Sequence, residues 1–309
     1  MMKIVFMGSP AFALPCIRAL KERKHDILAV FTQPDKPAGR GLKLQACPVA
    51  TFARESDLEL FQPKTLRSPE IQNKLKKLNP DLIVVVAYGK YLPAEVLQLP
   101  KYGCINVHAS LLPKYRGAAP INWAIINGEA ETGITTMLLN EEMDAGDMLL
   151  KRKTNIEPEE TAQDIHDRLA KIGAELLLET VLLIEQQKLQ PVFQNHTQAS
   201  LAPKLKKQDG VIDWQKGAVQ LKNQIRGTLP WPVSFTHYQG KTLRIFKAEA
   251  VHDNPEEQPG TVVRTDDELG VATGFGTLYL LEVQLEGKRR MRIEEFLKGH
   301  KIQVGEKLI

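Results

Sequence analysis

Residues 81–87 read DLIVVVA, an aspartate followed by six apolar residues. A strand that is apolar at every position is buried on both faces, which is typical of a parallel sheet covered by helices. Similar short runs alternate with helical patterns through the first half of the chain. The other strand candidates are KIVFMG (3–8), ILAVFT (27–32), LELFQ (58–62), CINVH (104–108) and ITTMLLN (134–140). This alternation predicts an α/β fold with a Rossmann-like, doubly wound N-terminal domain.

The helical patterns lie between these strands. We expect helices near residues 10–23, 47–56, 69–78 and 118–127, and a longer one from Thr161 to Gln187. At the first βα junction Gly8 is the only glycine, so the G-x-G-x-x-G pattern of dinucleotide-binding folds is absent. Ser9 and Pro10 instead predict the N-cap and first residue of the helix.

After Gly210 the pattern changes to short alternating runs separated by turns such as QG and EGK. Such runs predict a small antiparallel, OB-like β-barrel domain. The segment GKT at 240–242 is a hairpin turn on this reading, since Phe235 stands where a P-loop needs glycine. We therefore predict a catalytic domain over residues 1–189, a polar, proline-containing linker over 190–207, and a C-terminal domain over 208–309.

Composition sets wide limits on function. The 309 residues carry 41 Lys and Arg against 37 Asp and Glu, a net charge of +4, which permits a polyanionic partner without demanding one. The N-terminus lacks the pattern of a secretory signal, and no run is long enough to span a bilayer. Three widely spaced cysteines without a C-x-x-C motif favour reduced thiols. We expect a cytoplasmic protein that does not bind a membrane.

The strand CINVH places polar side chains where an apolar strand ends. Alternation puts Cys104, Asn106 and His108 on one face, at the carboxyl end of a predicted parallel strand, where open α/β sheets bind ligands. Four residues of strand span about 13 Å, which is too far for Cys104 and His108 to act as a nucleophile and its base. His108 lacks the companion ligands of a metal site, so no metal is predicted.

Two loops complete the candidate site. In EEMDAGDM, Asp144 is the best carboxylate partner for His108, while Asp147 reads as a turn-forming residue. The loop at 32–49 is longer than the usual βα connection and contains Lys36, Arg40 and Lys43. It reads either as a mobile surface loop with solvated charges or as an arm for a phosphate-rich partner.

Several of these segments together resemble a known family. The segments CINVHASLLPKYRGAAPINWAI, VVVAYGKYLP and MDAGDM resemble the folate-dependent formyltransferases. The loop QPDKPAGRGLKLQACPV and the C-terminal NQIRGTLPWPVSFTHYQGKTLRIFKA point to the branch of that family whose acceptor is initiator methionyl-tRNA. The resemblance covers essentially the whole chain.

The resemblance implies an enzyme of translation initiation, which moves a formyl group from 10-formyltetrahydrofolate to the α-amine of methionine on initiator tRNA. It implies a monomer whose co-substrate is folate. The site residues that it implies fall into three groups. They are the catalytic Asn106, His108 and Asp144; the folate-binding Ser110, Leu111, Leu112, Pro113, Val86, Tyr88 and Gly89; and the tRNA-binding Arg40, Lys36, Lys43, Lys206 and Lys207.

Two alternatives stay open on the sequence. A sister formyltransferase acting on a small amine would use the same three catalytic residues, without a need for the 34–49 loop or a basic C-terminal barrel. A non-catalytic RNA-binding module would leave Asn106, His108 and Asp144 without a purpose.

Overall fold

The computed structural model describes residues 1–38 and 43–309. For Ala38 and Lys43, which border the gap, it describes only the main chain. The strands in chain order are β1 (Lys3–Gly8), β2 (Asp26–Phe31), β3 (Lys36–Ala38), β4 (Lys43–Gln45), β5 (Leu60–Phe61), β6 (Leu82–Val86), β7 (Cys104–His108), β8 (Arg116–Gly117), β9 (Glu131–Leu138), β10 (Met148–Asn155), β11 (Leu201–Ala202), β12 (Ser234–Tyr238), β13 (Lys241–Val251), β14 (Val262–Arg264), β15 (Leu269–Ala272), β16 (Thr277–Leu285) and β17 (Met291–Arg292).

The α-helices are α1 (Leu14–Glu22), α2 (Pro48–Glu55), α3 (Pro69–Leu78), α4 (Ala94–Leu97), α5 (Pro120–Ile126), α6 (Ala162–Glu185), α7 (Ala218–Gly227) and α8 (Ile293–Gly299). Short 3₁₀ turns add Ala11–Ala13, His196–Gln198 and Lys207–Gly210. The sequence did not predict α8 or the short pair β3 and β4, which are too brief to leave a periodic pattern.

Contacts divide the chain into two compact units. The first consists of Met1–Pro120, Glu131–Thr154 and His166–Pro203. The second consists of Ile121–Ala130, Asn155–Ile165 and Lys204–Ile309. The predicted domain boundaries, which place 190–207 in a linker, stay a prediction.

The first unit contains a seven-stranded sheet in the order β10-β9-β7-β6-β1-β2-β5. The central strands pair in parallel, whereas β7 and β9 pair antiparallel. Chain connections run outward on both sides of β1, so the order reverses between β1 and β6, the position where open α/β sheets bind ligands. The predicted doubly wound α/β fold is confirmed.

Burial explains why the central strands are mostly apolar. Every residue of β6 and β7 is buried, and so is all of β1 after Lys3. One face packs on a cluster that includes Phe31, Leu75 and Leu92. Polar side chains on β7 are therefore exceptions within a buried strand, and each needs a partner.

The junction between β1 and α1 differs from the prediction. Pro10, and not Ser9, precedes the first 3₁₀ turn, and α1 begins only at Leu14. The Ser9 hydroxyl accepts the main-chain N–H of Gln33 at 3.0 Å instead of capping a helix. The N-cap assignment for Ser9 was wrong because this hydroxyl joins the loops that follow β1 and β2.

The second unit contains an antiparallel sheet in the order β12-β13-β16-β15-β14, with β17 paired to β16. Its edges are bridged by the C-terminal tail: His237 and Ile309 exchange main-chain hydrogen bonds, and Val262 N–H donates to the Glu306 carbonyl. The sheet curls around an apolar core that includes Leu243, Val271 and Leu280. The predicted antiparallel β domain is confirmed.

The turn at GKT is a hairpin, as predicted. Tyr238 pairs with Lys241 across a two-residue connection, and Gln239 and Gly240 both have positive φ angles of 48° and 74°. This combination is typical of a type I′ hairpin turn. Among the residues described, no helix is long and apolar enough to cross a membrane.

Candidate active site

The candidate site lies in the first unit, at the carboxyl ends of β6 and β7. Val85 of β6 is in register with Asn106, and β9 flanks β7 on its other side, with His108 opposite Thr135. Asn106 and His108 are only 9% and 5% exposed. Strand alternation thus places an amide and an imidazole on one face, where the sheet ends.

Asp144 lies in the loop between β9 and β10 and meets both side chains. Its Oδ1 accepts a long, 3.4 Å hydrogen bond from Asn106 Nδ2, and its Oδ2 lies 3.7 Å from His108 Nδ1. The second distance fits an ion pair but exceeds a normal hydrogen bond. The main-chain N–H of Gly117 donates to Oδ2 at 2.9 Å. The three side chains predicted to be catalytic are therefore brought together.

The loop that carries Asp144 has an unusual main-chain path. Asp144 has a positive φ of 49°, which is uncommon for a residue with a side chain. Two residues later, a Cβ on Gly146 would lie 2.0 Å from the Leu138 carbonyl oxygen. Only glycine allows this close approach, which keeps the loop against the end of β9.

The contacts of His108 identify which ring nitrogen carries a proton. Its Nε2 lies 3.0 Å from the carbonyl oxygen of Tyr115. A carbonyl can only accept, so Nε2 must donate. Nδ1, which faces Asp144, is consequently the nitrogen with a free lone pair in the neutral ring.

Cys104 lies two residues before Asn106 but does not take part in this cluster. Its thiol is directed at the carbonyls of Val96 and Leu97, at 3.7 and 3.8 Å. Burial raises the pKa of Cys104 to about 12. A buried, protonated thiol is a poor nucleophile, in agreement with the distance argument from the sequence.

The segment SLLP forms a tight turn after β7. The Ser110 hydroxyl donates to the Lys114 carbonyl at 2.6 Å, and the Thr135 hydroxyl joins this turn to β9. Leu112 is buried in a cluster with Met137 and Met148, whereas Leu111 and Pro113 are partly exposed. Of the residues in this turn, Leu111 and Pro113 are thus the ones whose side chains can reach a ligand.

The other predicted folate-binding segment follows β6. Val86 is buried, and the Gln33 amide donates to the carbonyls of Tyr88 and Gly89 at 3.0 and 3.4 Å. The Tyr88 ring is buried, and burial raises its pKa to about 12. A ligand at this position would meet the main chain at Tyr88 and Gly89 and not the tyrosine hydroxyl.

A cavity of about 880 Å³ opens beside this segment. Its lining includes Ser9, Gln33, Lys36, Phe52 and Ala87. Ser9, Gln33 and Ala87 follow the carboxyl ends of β1, β2 and β6. Lys36 begins β3, and Phe52 lies on α2. The cavity therefore occupies the edge of the sheet that the switch in strand order predicts.

The basic residues predicted to bind tRNA are only partly described. Lys36 is exposed and donates to the Gln33 side chain at 2.8 Å. Arg40 lies outside the described residues, and only the main chain of Lys43 is described, in β4. In the second unit, Lys206 and Lys207 are exposed at the start of a 3₁₀ turn.

A buried glutamine that was not predicted from the sequence contacts the Asp144 loop. Gln194 is fully buried and donates to the carbonyls of Asp144 and Gly146 at 2.9 and 2.7 Å. It lies in the polar, proline-containing segment that was predicted to be a linker. The sequence held no signal for this role, because glutamine in such a segment is usually solvated.

Within residues 1–38 and 43–309, no group of three or more His, Cys, Asp or Glu side chains is placed to hold a metal ion. The cluster instead combines a neutral hydrogen-bond donor, a proton acceptor and a carboxylate. This combination suits the transfer of an acyl group to an amine.

The fold and this cluster define a formyl transferase. Residues 2–181 match the family described as formyl transferase, and residues 204–301 match the formyl transferase C-terminal domain. The crystal structure of HypX from Aquifex aeolicus in complex with tetrahydrofolic acid has the same fold, with a TM-score of 0.63 and 18% identity. The match covers 96% of this chain and 47% of HypX, so the chain spans about half the length of that protein.

Two curated relatives show to which group of formyl transferases the chain belongs. The methionyl-tRNA formyltransferase of Caldanaerobacter subterraneus is 53% identical over 98% of this chain and 99% of the relative. That of Alkaliphilus oremlandii is 50% identical over 98% of each chain. The chain belongs to the methionyl-tRNA formyltransferase family.

Proposed function

We propose that this protein transfers the formyl group of 10-formyltetrahydrofolate to the α-amine of methionine on initiator methionyl-tRNA, giving N-formylmethionyl-tRNA. Two observations support the proposal. Relatives with this name match almost the whole chain, and Asn106, His108 and Asp144 meet at the carboxyl edge of the sheet. The folate supplies the activated one-carbon unit.

Asn106 is the proposed oxyanion donor. Attack of the amine lone pair on the formyl carbon forms a C–N bond and places negative charge on the formyl oxygen. The Asn106 amide is neutral and only weakly engaged, by one 3.4 Å bond, so it retains an N–H for that oxygen. A donor held in place before the reaction stabilises developing charge without reorganisation.

His108 is the proposed proton acceptor. Its Nε2 is occupied by the Tyr115 carbonyl, so Nδ1 is the nitrogen available to take the proton that the attacking amine loses. The resulting imidazolium would stand beside the Asp144 carboxylate, which stabilises the charge. Collapse of the intermediate then breaks the bond from the formyl carbon to N10 of the folate. N10 takes the proton that the imidazolium holds, which returns His108 to its neutral form.

The folate would lie against the ends of β6 and β7. The proposed contacts are the main chain of Tyr88 and Gly89 on one side and Leu111 and Pro113 on the other. Val86, Ser110 and Leu112 are buried and would shape the site from behind. This division fits a flat ring held between main-chain groups and apolar side chains.

The tRNA contacts are proposed for the long loop and for the beginning of Lys204–Ile309, the last segment of the second unit. Lys36, Arg40 and Lys43 belong to the loop, and Lys206 and Lys207 to the second unit. Cations on flexible stems suit phosphate contacts that position a nucleic acid without reading its bases. We further propose a cytoplasmic location and a monomer.

A panel of acceptors tests the proposal. Purified protein would be incubated with 10-formyltetrahydrofolate and either charged initiator tRNA, charged elongator tRNA, glycinamide ribonucleotide or an amino-sugar nucleotide. The expected product is formylated initiator methionyl-tRNA alone. Transfer only to a small amine would identify a sister activity, and no transfer to any acceptor would contradict an enzymatic role.

A further inference from the structure

We propose that Gln194, together with Arg116, is a positioning residue for Asp144, an inference that rests on the proposed function for its effect on rate. Gln194 touches no reacting atom in the proposed mechanism. It contacts the main chain of the loop that carries the carboxylate. Its role would be to fix where that carboxylate stands relative to Asn106 and His108.

Both N–H groups and the oxygen of the Gln194 side-chain amide take part in hydrogen bonds. The two N–H groups of Nε2 donate to the carbonyls of Asp144 and Gly146 at 2.9 and 2.7 Å. Its Oε1 accepts from Arg116, at 2.7 Å from Nη2 and 3.1 Å from Nε. The carbonyls can only accept and the guanidinium can only donate, so the amide has a single possible orientation.

Arg116 is itself held by the neighbouring segment. Its strand β8 pairs in parallel with β11, and its main-chain N–H donates to the Ser200 carbonyl at 2.8 Å. The guanidinium is largely buried and also lies 3.3 Å from His196 Nδ1. Gln194 therefore connects a fixed cation to the Asp144 loop.

The main-chain carbonyl and the side-chain carboxylate of Asp144 are therefore both fixed by hydrogen bonds. Gln194 binds its carbonyl, and Gly117, next to Arg116, binds its carboxylate at Oδ2. Asp144 also has a positive φ angle, a conformation that persists only where the surroundings impose it. Loss of the Gln194 contacts would let the loop relax and move the carboxylate away from His108.

The test compares Gln194→Glu with Gln198→Glu. The first keeps a partner for Arg116 but sets carboxylate oxygens against two carbonyls. The second makes the same chemical change at an exposed position of the same segment. We expect Gln194→Glu to lower kcat by about 10- to 100-fold with unchanged KM for folate and tRNA, because misplacement by about 1 Å can cost this much. Gln198→Glu should match the wild type.

Gln194→Asn provides a second variant that keeps the amide but is one methylene too short to reach both partners. We expect it to lower kcat in the same way but by less. Thermal unfolding of each variant shows whether the fold is retained. Wild-type kcat in both Gln194 variants, or an equal loss in Gln198→Glu, would overturn the proposal.

A double variant separates positioning from a general structural role. If Gln194 acts through Asp144, Gln194→Glu should cause no further loss of kcat in an Asp144→Ala background. Losses that multiply in the double variant would mean that Gln194 acts independently of Asp144, contrary to the proposal.

A measurement on the free protein, with no formyl acceptor present, tests the positioning role of Gln194 separately from the proposed function. The Gly117 amide proton reports the hydrogen bond to Asp144 in the free protein. Its NMR shift in Gln194→Glu should move toward its value in Asp144→Ala, whether or not the wild type formylates methionyl-tRNA. A Gly117 amide unchanged by Gln194→Glu would overturn the positioning role, whereas an inactive wild type would overturn only the proposed function.

Discussion

The main-chain N–H of Gly117 donates a 2.9 Å hydrogen bond to Oδ2 of Asp144, the same oxygen that faces His108. Gly117 can stand there because it lacks a side chain: its φ is 126°, and a Cβ would lie 2.6 Å from the Ala202 carbonyl oxygen. The close packing of β8 on β11 thus sets the position of a donor to the carboxylate of Asp144.

Gly117→Ala should damage both stability and catalysis. The new methyl group meets the Ala202 carbonyl, and the φ angle is unfavourable for alanine, with a cost of about 1–3 kcal/mol. Thermal unfolding should show a lower midpoint, and kcat should fall at least about tenfold as Asp144 loses its donor. Gly299→Ala is the matched control, because a Cβ there meets nothing within 4 Å. Equal behaviour of the two variants would contradict this account.

Asn106→Ala should remove the proposed oxyanion donor. The expected loss in kcat is about 10²- to 10³-fold, the usual effect of deleting one such donor. Binding of folate should change little, which equilibrium titration can check. Asn254→Ala, at an exposed position, serves as the control. Wild-type turnover in Asn106→Ala would show that another group stabilises the oxyanion.

Arg40→Ala should weaken binding of tRNA and leave the chemistry intact. Steady-state kinetics should show a higher KM for methionyl-tRNA at nearly constant kcat. If Arg40 contacts a phosphate, the slope of log affinity against log salt should become shallower by about one unit. Arg23→Ala, exposed just after α1, is a suitable comparison. An effect on kcat alone would count against the loop as a tRNA-binding arm.

Two buried thiols should make the fold less stable at alkaline pH. Burial raises the pKa of Cys16 and of Cys104 from 9.0 to about 12. Between these values the unfolded chain loses protons that the folded protein keeps, so stability declines as pH rises above about 9. The decline should reach up to about 1.4 kcal/mol per pH unit for each thiol.

Urea unfolding at pH 8, 9, 10 and 11 measures this decline. Replacing Cys16 and Cys104 by alanine should flatten the dependence on pH relative to the wild type. An equally steep decline without the two buried thiols would show that other groups cause it. Cys104→Ala should also keep the wild-type kcat, since the proposed reaction passes through no thiol.

Residue patterns predicted the sheet and the placement of two of the three proposed catalytic side chains for a clear physical reason. Alternation along β7 places Asn106 and His108 on one face, and the parallel sheet directs that face to its carboxyl edge. Asp144 was chosen from its turn and from the family resemblance. Its distances to Asn106 and His108 could not be predicted, because they depend on how the loop packs against β9.

The hydrogen bonds that Gln194 and Ser9 make between loops could not be predicted from sequence patterns. Gln194 is far from Asp144 along the chain, and no periodicity marks a buried residue in an irregular segment. The Ser9 hydroxyl bonds Gln33 and not a helix end, because a loop from another strand passes above it. Hydrogen bonds between loops depend on tertiary packing, which local propensity does not encode.

Residues 194–202 pack in the same unit as the proposed catalytic residues, so they determine where the chain can be cut to prepare a smaller fragment. A fragment that ends at residue 189 would keep Asn106, His108 and Asp144 but lose Gln194, Ser200 and strand β11. A fragment that ends at residue 203 would keep them all. The shorter piece should therefore have a disordered Asp144 loop even if its sheet folds, which makes the choice of cut site decisive for any minimal formyl-transferring module.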